Sequence, residues 1–168
     1  MTSATTTSEL KARIGPALGR VPSGVFIVTV LHSGKKDGMM ASWIAQAGFE
    51  PPSIVVAVNK SRPIMEALKV GDRFGVNVLS KRNMDIFKSF AKPHHDADTD
   101  AKFEGIALLD KVSDAPVFQE AVSYMVATVK SVTDASDHVL VVGEIVDGEL
   151  LNGGDEPMVH LRKDGFQY

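Results

Sequence analysis

Residues 124–151 read YMVATVKSVTDASDHVLVVGEIVDGELL, and this stretch decides the fold. Tyr124–Val132 and Val139–Val146 are dense in β-branched residues, which pack well on a pleated surface, so each reads as a long strand. Asp147-Gly148 is a pair that tolerates positive φ and predicts a two-residue hairpin turn into Glu149–Leu151. Strands joined this tightly are antiparallel, because a parallel return needs a crossover of about a dozen residues.

The same reading extends upstream. Val25–Leu31 (VFIVTVL) is apolar on both faces and reads as a buried strand. HSGKKDG follows, with Asp37-Gly38 as the expected turn, and MMASWIA continues as a second strand or tight loop. Pro51 and Pro52 open a strand over Ile54–Val58. Phe74–Leu79 alternates, with Phe74, Val76 and Val78 on one face. Helical spacing is shorter-ranged. Leu10, Ile14 and Leu18 recur every four residues, though Gly15 and Pro16 weaken that helix. Ser61-Arg62-Pro63 reads as a helix start, with Ser61 as N-cap and Ile64, Met65 and Leu68 as its buried stripe. Met84, Phe87 and Phe90–Ala91 predict another helix, and Asp114-Ala-Pro116 a short one through Val122. Residues 1–8 are a Ser/Thr-rich loose tail, and 92–102 (KPHHDADTDAK) a mobile surface loop. The expected fold is mainly β: an antiparallel Greek-key or barrel-like sheet with a few short helices, one domain over 9–168.

Composition narrows the function. Of 168 residues, 44% are hydrophobic and 23% charged, enough apolar material for a core without staples. Eighteen basic residues against twenty-one acidic ones give a formal charge of −3. That balance disfavours a nucleic-acid binder or a polybasic membrane-surface protein. With no cysteine, disulfides, thiolate nucleophiles and Cys-ligated metals are excluded. Electron transfer would need an organic cofactor, haem, or a metal held by His and carboxylates. No apolar run approaches a membrane span, and MTSATTTSEL lacks a secretory signal's basic and apolar blocks, so a soluble cytoplasmic protein is expected.

Several motifs fail. No GxGxxG follows a strand, SGKKDG is not a P-loop, and there is no GxSxG or HExxH. His94-His95-Asp96-x-Asp98-x-Asp100 suggests a metal site. As a calcium loop it puts Ala101 where glycine is needed and Ala107 where the bidentate Glu belongs, so it reads as a solvated acidic loop. Asn59-Lys60-Ser61-Arg62 lies between a buried strand and a helix start. Free N–H groups, a hydroxyl and two cations there suit a terminal phosphate, and simple capping by Ser61 is the bland alternative. Met40-Ala41-Ser42-Trp43 carries the one Trp among small residues, either a pocket wall or core filling. His138, beside Asp137 at a strand start, either contacts a ligand or caps the strand. His160, Arg162 and Tyr168 have no evident role.

Together, GRVPSGVFIVTV, GMMASWIAQAGFEPPSIVVAVNKSR, DRFGVNVL and SDHVLVVGEIVDGELL resemble the flavin-reductase-like family of FMN-binding split barrels, from about Gly19 to Tyr168. The ending PMVHLRKDGFQY, with FAKPHHDADTDAKFEG, looks most like the C-terminal flavin reductase module of cyanobacterial-type flavodiiron proteins, standing alone or cut from a longer chain. The resemblance implies an NAD(P)H-dependent flavin reductase, homodimeric, with FMN at the subunit interface. It implies that Met40, Ala41, Ser42 and Trp43, with Gln46, Ala47 and Gly48, lie against the isoalloxazine. It places the ribityl phosphate on Asn59, Lys60, Ser61 and Arg62, His138 near the nicotinamide as the catalytic residue, and Phe90 towards the ring. Relatives commonly carry Ser where this chain has Gly48. Reduced FMN would leave or pass electrons to an acceptor protein. Two other readings stay open: a non-catalytic module holding FMN or haem, with His94, His95 or His138 as axial ligands, and a flavin-free dimerisation or docking domain.

Overall fold

The computed structural model describes residues 7–91 and 99–166, which form two compact units. The smaller comprises residues up to Ser23 together with Val159 onward. Its helix α1 spans Thr7–Leu18 and runs through Gly15 and Pro16. A β-carbon on Gly15 would lie 2.7 Å from Asp164 Oδ2, so a side chain there would require that carboxylate to turn aside. The C-terminal segment ties back to the end of this helix through Arg162 N–H to Gly19 O (3.1 Å) and Gly165 N–H to Gly15 O (2.7 Å). Arg162 Nη1 also donates to Gly165 O at 3.0 Å, giving that side chain a structural role.

The larger unit, Gly24–Met158, holds the barrel. Counting a short strand β1 (Ser23–Gly24) first, its strands are β2 (Phe26–His32), β3 (Lys35–Ala41), β4 (Ile44–Phe49), β5 (Pro52–Asn59), β6 (Arg73–Val78), β7 (Ser123–Ala135) and β8 (His138–Leu150). They form a seven-stranded sheet in the order β3-β2-β6-β7-β8-β5-β4. Every pairing is antiparallel. Helix α2 (Met84–Ala91) is as the apolar spacing predicts. Val28, Val56, Val58, Phe74, Val76 and Val129 fill the barrel interior. Ile27, Leu79, Ile86, Phe90, Phe103 and Phe118 form a second core beneath α2. Burying each such side chain contributes roughly 1.5–3 kcal/mol, so the β-branched runs that predict strands also supply the stability.

Three sequence expectations need correction, each for a packing reason. Asp37-Gly38 lies inside β3, and the β2–β3 chain reversal falls at Ser33 (φ 51°) and Gly34 (φ 76°). Gly38 is a glycine because a β-carbon would press to 2.8 Å from the Phe90 ring. Asp147-Gly148 lies inside β8, where a β-carbon on Gly148 would meet Tyr124 O at 2.8 Å. The β7–β8 reversal is at Ser136 (φ 65°) and Asp137, between the paired Ala135 and His138. Residues 114–122 form no helix. Pro116 O accepts from Thr29 Oγ1 at 2.6 Å, and Phe118 N–H donates to Asn77 Oδ1 at 2.9 Å. Both side chains are fully buried, so this extended segment is the cover that satisfies them.

Candidate functional site

β3 and β4 are the two ends of the sheet, yet they are consecutive in the chain, linked by Ser42 and Trp43. The barrel's two free edges therefore meet at this corner. Trp43 O accepts from Ala57 N–H at 3.0 Å, which holds the corner against β5. The half-buried Trp43 ring lies 5.0 Å from the His138 ring, tilted by 42°. His138 begins β8 and is the register partner of Asn59, the last residue of β5. The residue is buried, 8% exposed overall. Its Nδ1 lies 2.9 Å from Asp137 Oδ1. That hydrogen bond holds the Asp137 carboxyl below the usual carboxylate value of 3.8, with the charges of His138 and Lys60 adding to the effect.

Asn59 leads into the predicted anion loop, where the local structure differs from expectation. The segment after Arg62 is one short 3-10 turn, Pro63–Ala67, without a side-chain cap. Ser61 does not cap it: its Oγ and its N–H donate to Asn59 Oδ1 at 2.7 and 2.9 Å. Lys60 N–H donates to Asp137 O (3.1 Å) and Arg62 N–H to Asn59 O (3.0 Å). All three backbone donors are spent inside the protein, so any anion must be held by side chains. Lys60 Nζ pairs with Asp134 of β7, while among the described residues the exposed Arg62 guanidinium has no ion-pair partner.

The other predicted residues divide by position. Ala41 packs in the barrel core and Met40 against the second core, at the end of β3 that leads to the corner. Gln46, Ala47 and Gly48 continue from Trp43 along β4, where the register skips Ala47 and makes a bulge. Because β4 ends the sheet, its outer backbone groups are not used in strand pairing. Phe90 is 6% exposed, with its ring packed on Phe103 (5.1 Å) and Phe118 (5.6 Å). The structure thus gathers Trp43, Asn59–Arg62 and His138 into one corner beside the β4 edge, and sets Phe90 in the core. His94 and His95 lie outside the described residues, as does Tyr168. Among the described residues no three His, Asp or Glu side chains cluster as metal ligands. Asp134 and Asp137, both contacting this corner, were not singled out from sequence. Their partners are set by hairpin register, and only the adjacency of Asp137 to His138 hints at one of them.

The flavin reductase like domain family matches residues 18–167, almost the whole chain. The chain belongs to this family. Membership makes it a flavin oxidoreductase domain of the flavin reductase class. Diflavin flavoprotein A 1 of Synechocystis sp. is 32% identical over 160 residues, covering 95% of this chain and 28% of that protein. The chain therefore spans little more than a quarter of the length of the curated relatives it matches. Nitrilotriacetate monooxygenase component B from Mycobacterium thermoresistibile superposes with a TM-score of 0.81 at 23% identity, over 94% of this chain and 86% of that one. An NADH:FAD oxidoreductase from Streptomyces globisporus gives 0.79 at 22%, over 96% and 93%. These likenesses carry the fold, an antiparallel split β-barrel. No helix among the described residues is long and apolar enough to cross a membrane.

The corner's chemistry fits a flavin. The unpaired outer edge of β4 offers backbone donors and acceptors to a flat heterocycle, Trp43 offers an aromatic wall, and Arg62 with Lys60 offers cations for a phosphate.

Proposed function

We propose that the flavin reductase domain catalyses NAD(P)H-dependent reduction of FMN, acting as a cytoplasmic homodimer with FMN at the subunit interface and passing electrons to a downstream acceptor. The observation that carries this reading is the corner where Trp43, His138 and the cations of the 59–62 loop meet beside the open β4 edge. Bound flavin supplies the hydride acceptor, and a cysteine-free chain without a nucleophilic triad suits a reaction in which the cofactor carries the chemistry. The protein's own tasks are then placement and charge.

Arg62 and Lys60 hold the phosphate through their side chains, with Asp134 yielding Lys60 to the incoming anion. Backbone N–H groups of residues 40–48 that face outward stabilise negative charge on the ring edge. Trp43 excludes water from one side of the site, and His138 orients the nicotinamide. Residues 9–168 act as one flavin reductase module in this reading. The cysteine-free composition suits a reducing compartment.

The test is NADH and NADPH oxidation by purified protein with and without added FMN. Flavin-dependent consumption that saturates in both substrates is expected. A folded protein that consumes neither nucleotide with FMN or FAD overturns the catalytic reading.

A further inference from the structure

Of the two cations in the 59–62 loop, Lys60 is already engaged by another side chain, and the direction in which it is held bears on the site. We propose that Asp134 is a specificity-determining residue of the flavin site: its carboxylate holds the Lys60 ammonium away from the β4 edge and competes with the flavin phosphate for it, so that FMN is bound less tightly than the loop's two cations allow. The inference rests on the reading that this loop receives the phosphate of FMN.

Three features converge on Asp134. The first is direction. In the sheet, β8 flanks β5 on one side and β4 flanks it on the other. Lys60 follows Asn59, and Asn59, His138 and Ala135 lie in one register row across β5, β8 and β7. Asp134 precedes Ala135, so the ion pair spans two strand spacings, about 10 Å, across β8. It therefore draws the ammonium to the side of β5 opposite the open β4 edge. The second is the lack of a substitute. The N–H groups of Lys60, Ser61 and Arg62 are bonded inside the protein, so the backbone cannot stand in for the ammonium that Asp134 holds. The third is accessibility. The side chains are 43% exposed for Lys60 and 75% exposed for Asp134, and an ion pair this exposed is weak enough to open. A phosphate monoester carries roughly two negative charges at neutral pH, more than the carboxylate, and so competes for the same cation.

The other carboxylate of the hairpin tip, Asp137, lies against His138 Nδ1, and Arg62 is exposed on the loop itself. Removing the Asp134 charge leaves both groups in place. Neither Lys60 nor Asp134 packs in either hydrophobic core, so substitution of either leaves the barrel intact.

The test measures dissociation constants for FMN and riboflavin, by flavin fluorescence, in the parent, Asp134→Asn, Lys60→Gln and the double variant. Asp134→Asn should tighten FMN binding by about three- to fivefold, the upper range for one exposed ion pair. Riboflavin affinity should stay within about twofold, and added salt should shrink the gain for FMN. In the Lys60→Gln background the same substitution should gain less than about twofold, because the cation it would release is gone. If the parent prefers FMN to riboflavin and Asp134→Asn leaves FMN affinity unchanged or lowers it, the competing role is overturned and the phosphate reading stands. A gain of equal size with and without Lys60 also overturns it. If the parent and every variant bind FMN and riboflavin alike, the phosphate reading of the loop falls and the proposal with it.

Discussion

In the proposed site, Arg62 is the residue on which flavin recognition turns. The N–H groups of Lys60, Ser61 and Arg62 are bonded internally, and Lys60 is shared with Asp134. Replacing Arg62 by Glu should weaken FMN binding by about ten- to a hundredfold, through loss of a charge-assisted bond and added repulsion. Riboflavin, which lacks the phosphate, should bind the variant and the parent alike. Equal FMN affinity in a fluorescence titration would put the phosphate elsewhere. Gly48 is the opposite case, a position where the fold leaves room. A β-carbon there would meet its nearest neighbours at 3.4 to 3.6 Å, ordinary contact distances. Gly48→Ser should therefore fold with stability within about 0.5 kcal/mol of the parent. It should tighten flavin binding by about fivefold if the new hydroxyl gains one neutral hydrogen bond. A thermal melt checks the first expectation and a flavin titration the second.

At the scale of elements, the β7–β8 hairpin both builds the barrel and delivers Asp134, Asp137 and His138 to the corner. Tyr124 locks its base: the phenol, 3% exposed, donates to Asp147 Oδ2 at 3.2 Å across the bulged region. Burial raises its pKa above the ordinary 10.0, with the Asp147 carboxylate adding to the effect. The folded state holds this proton more tightly than the unfolded state, so the contribution is full below the unfolded pKa and is lost as pH rises through the raised one. Denaturant midpoints should fall above pH 10, and Tyr124→Phe should flatten that limb. An unchanged alkaline limb in the variant would remove Tyr124 as the cause. The elements also show why strands were legible and turns were not. Runs such as 25–31, 54–58 and 139–146 announce themselves because their β-branched residues are what the core consumes. Gly38 and Gly148 resemble turn glycines but serve close packing, a demand set by residues far away in the chain. The expected helix at 114–122 was lost for a similar reason, since buried Thr29 and Asn77 claim that segment's backbone groups.

At the scale of the whole molecule, topology explains the site. Two sheet ends joined by Ser42 and Trp43 put an aromatic ring, an open strand edge and the end of β5 at one corner. The candidate residues at 40–48, 59–62 and 138 were legible because a resemblance carried them together, not because spacing alone could. What spacing missed was the acidic pair supplied by the hairpin tip, which exists only once Ala135 and His138 are in register. In the proposed function this corner binds flavin, and Trp43, the chain's one tryptophan, reports on it directly. The deciding measurement is an FMN titration of flavin-free protein, following Trp43 and flavin fluorescence together. Saturable quenching of both signals at one FMN per chain is the expected result. Trp43 emission that stays unchanged as FMN is added to saturating excess would contradict the account.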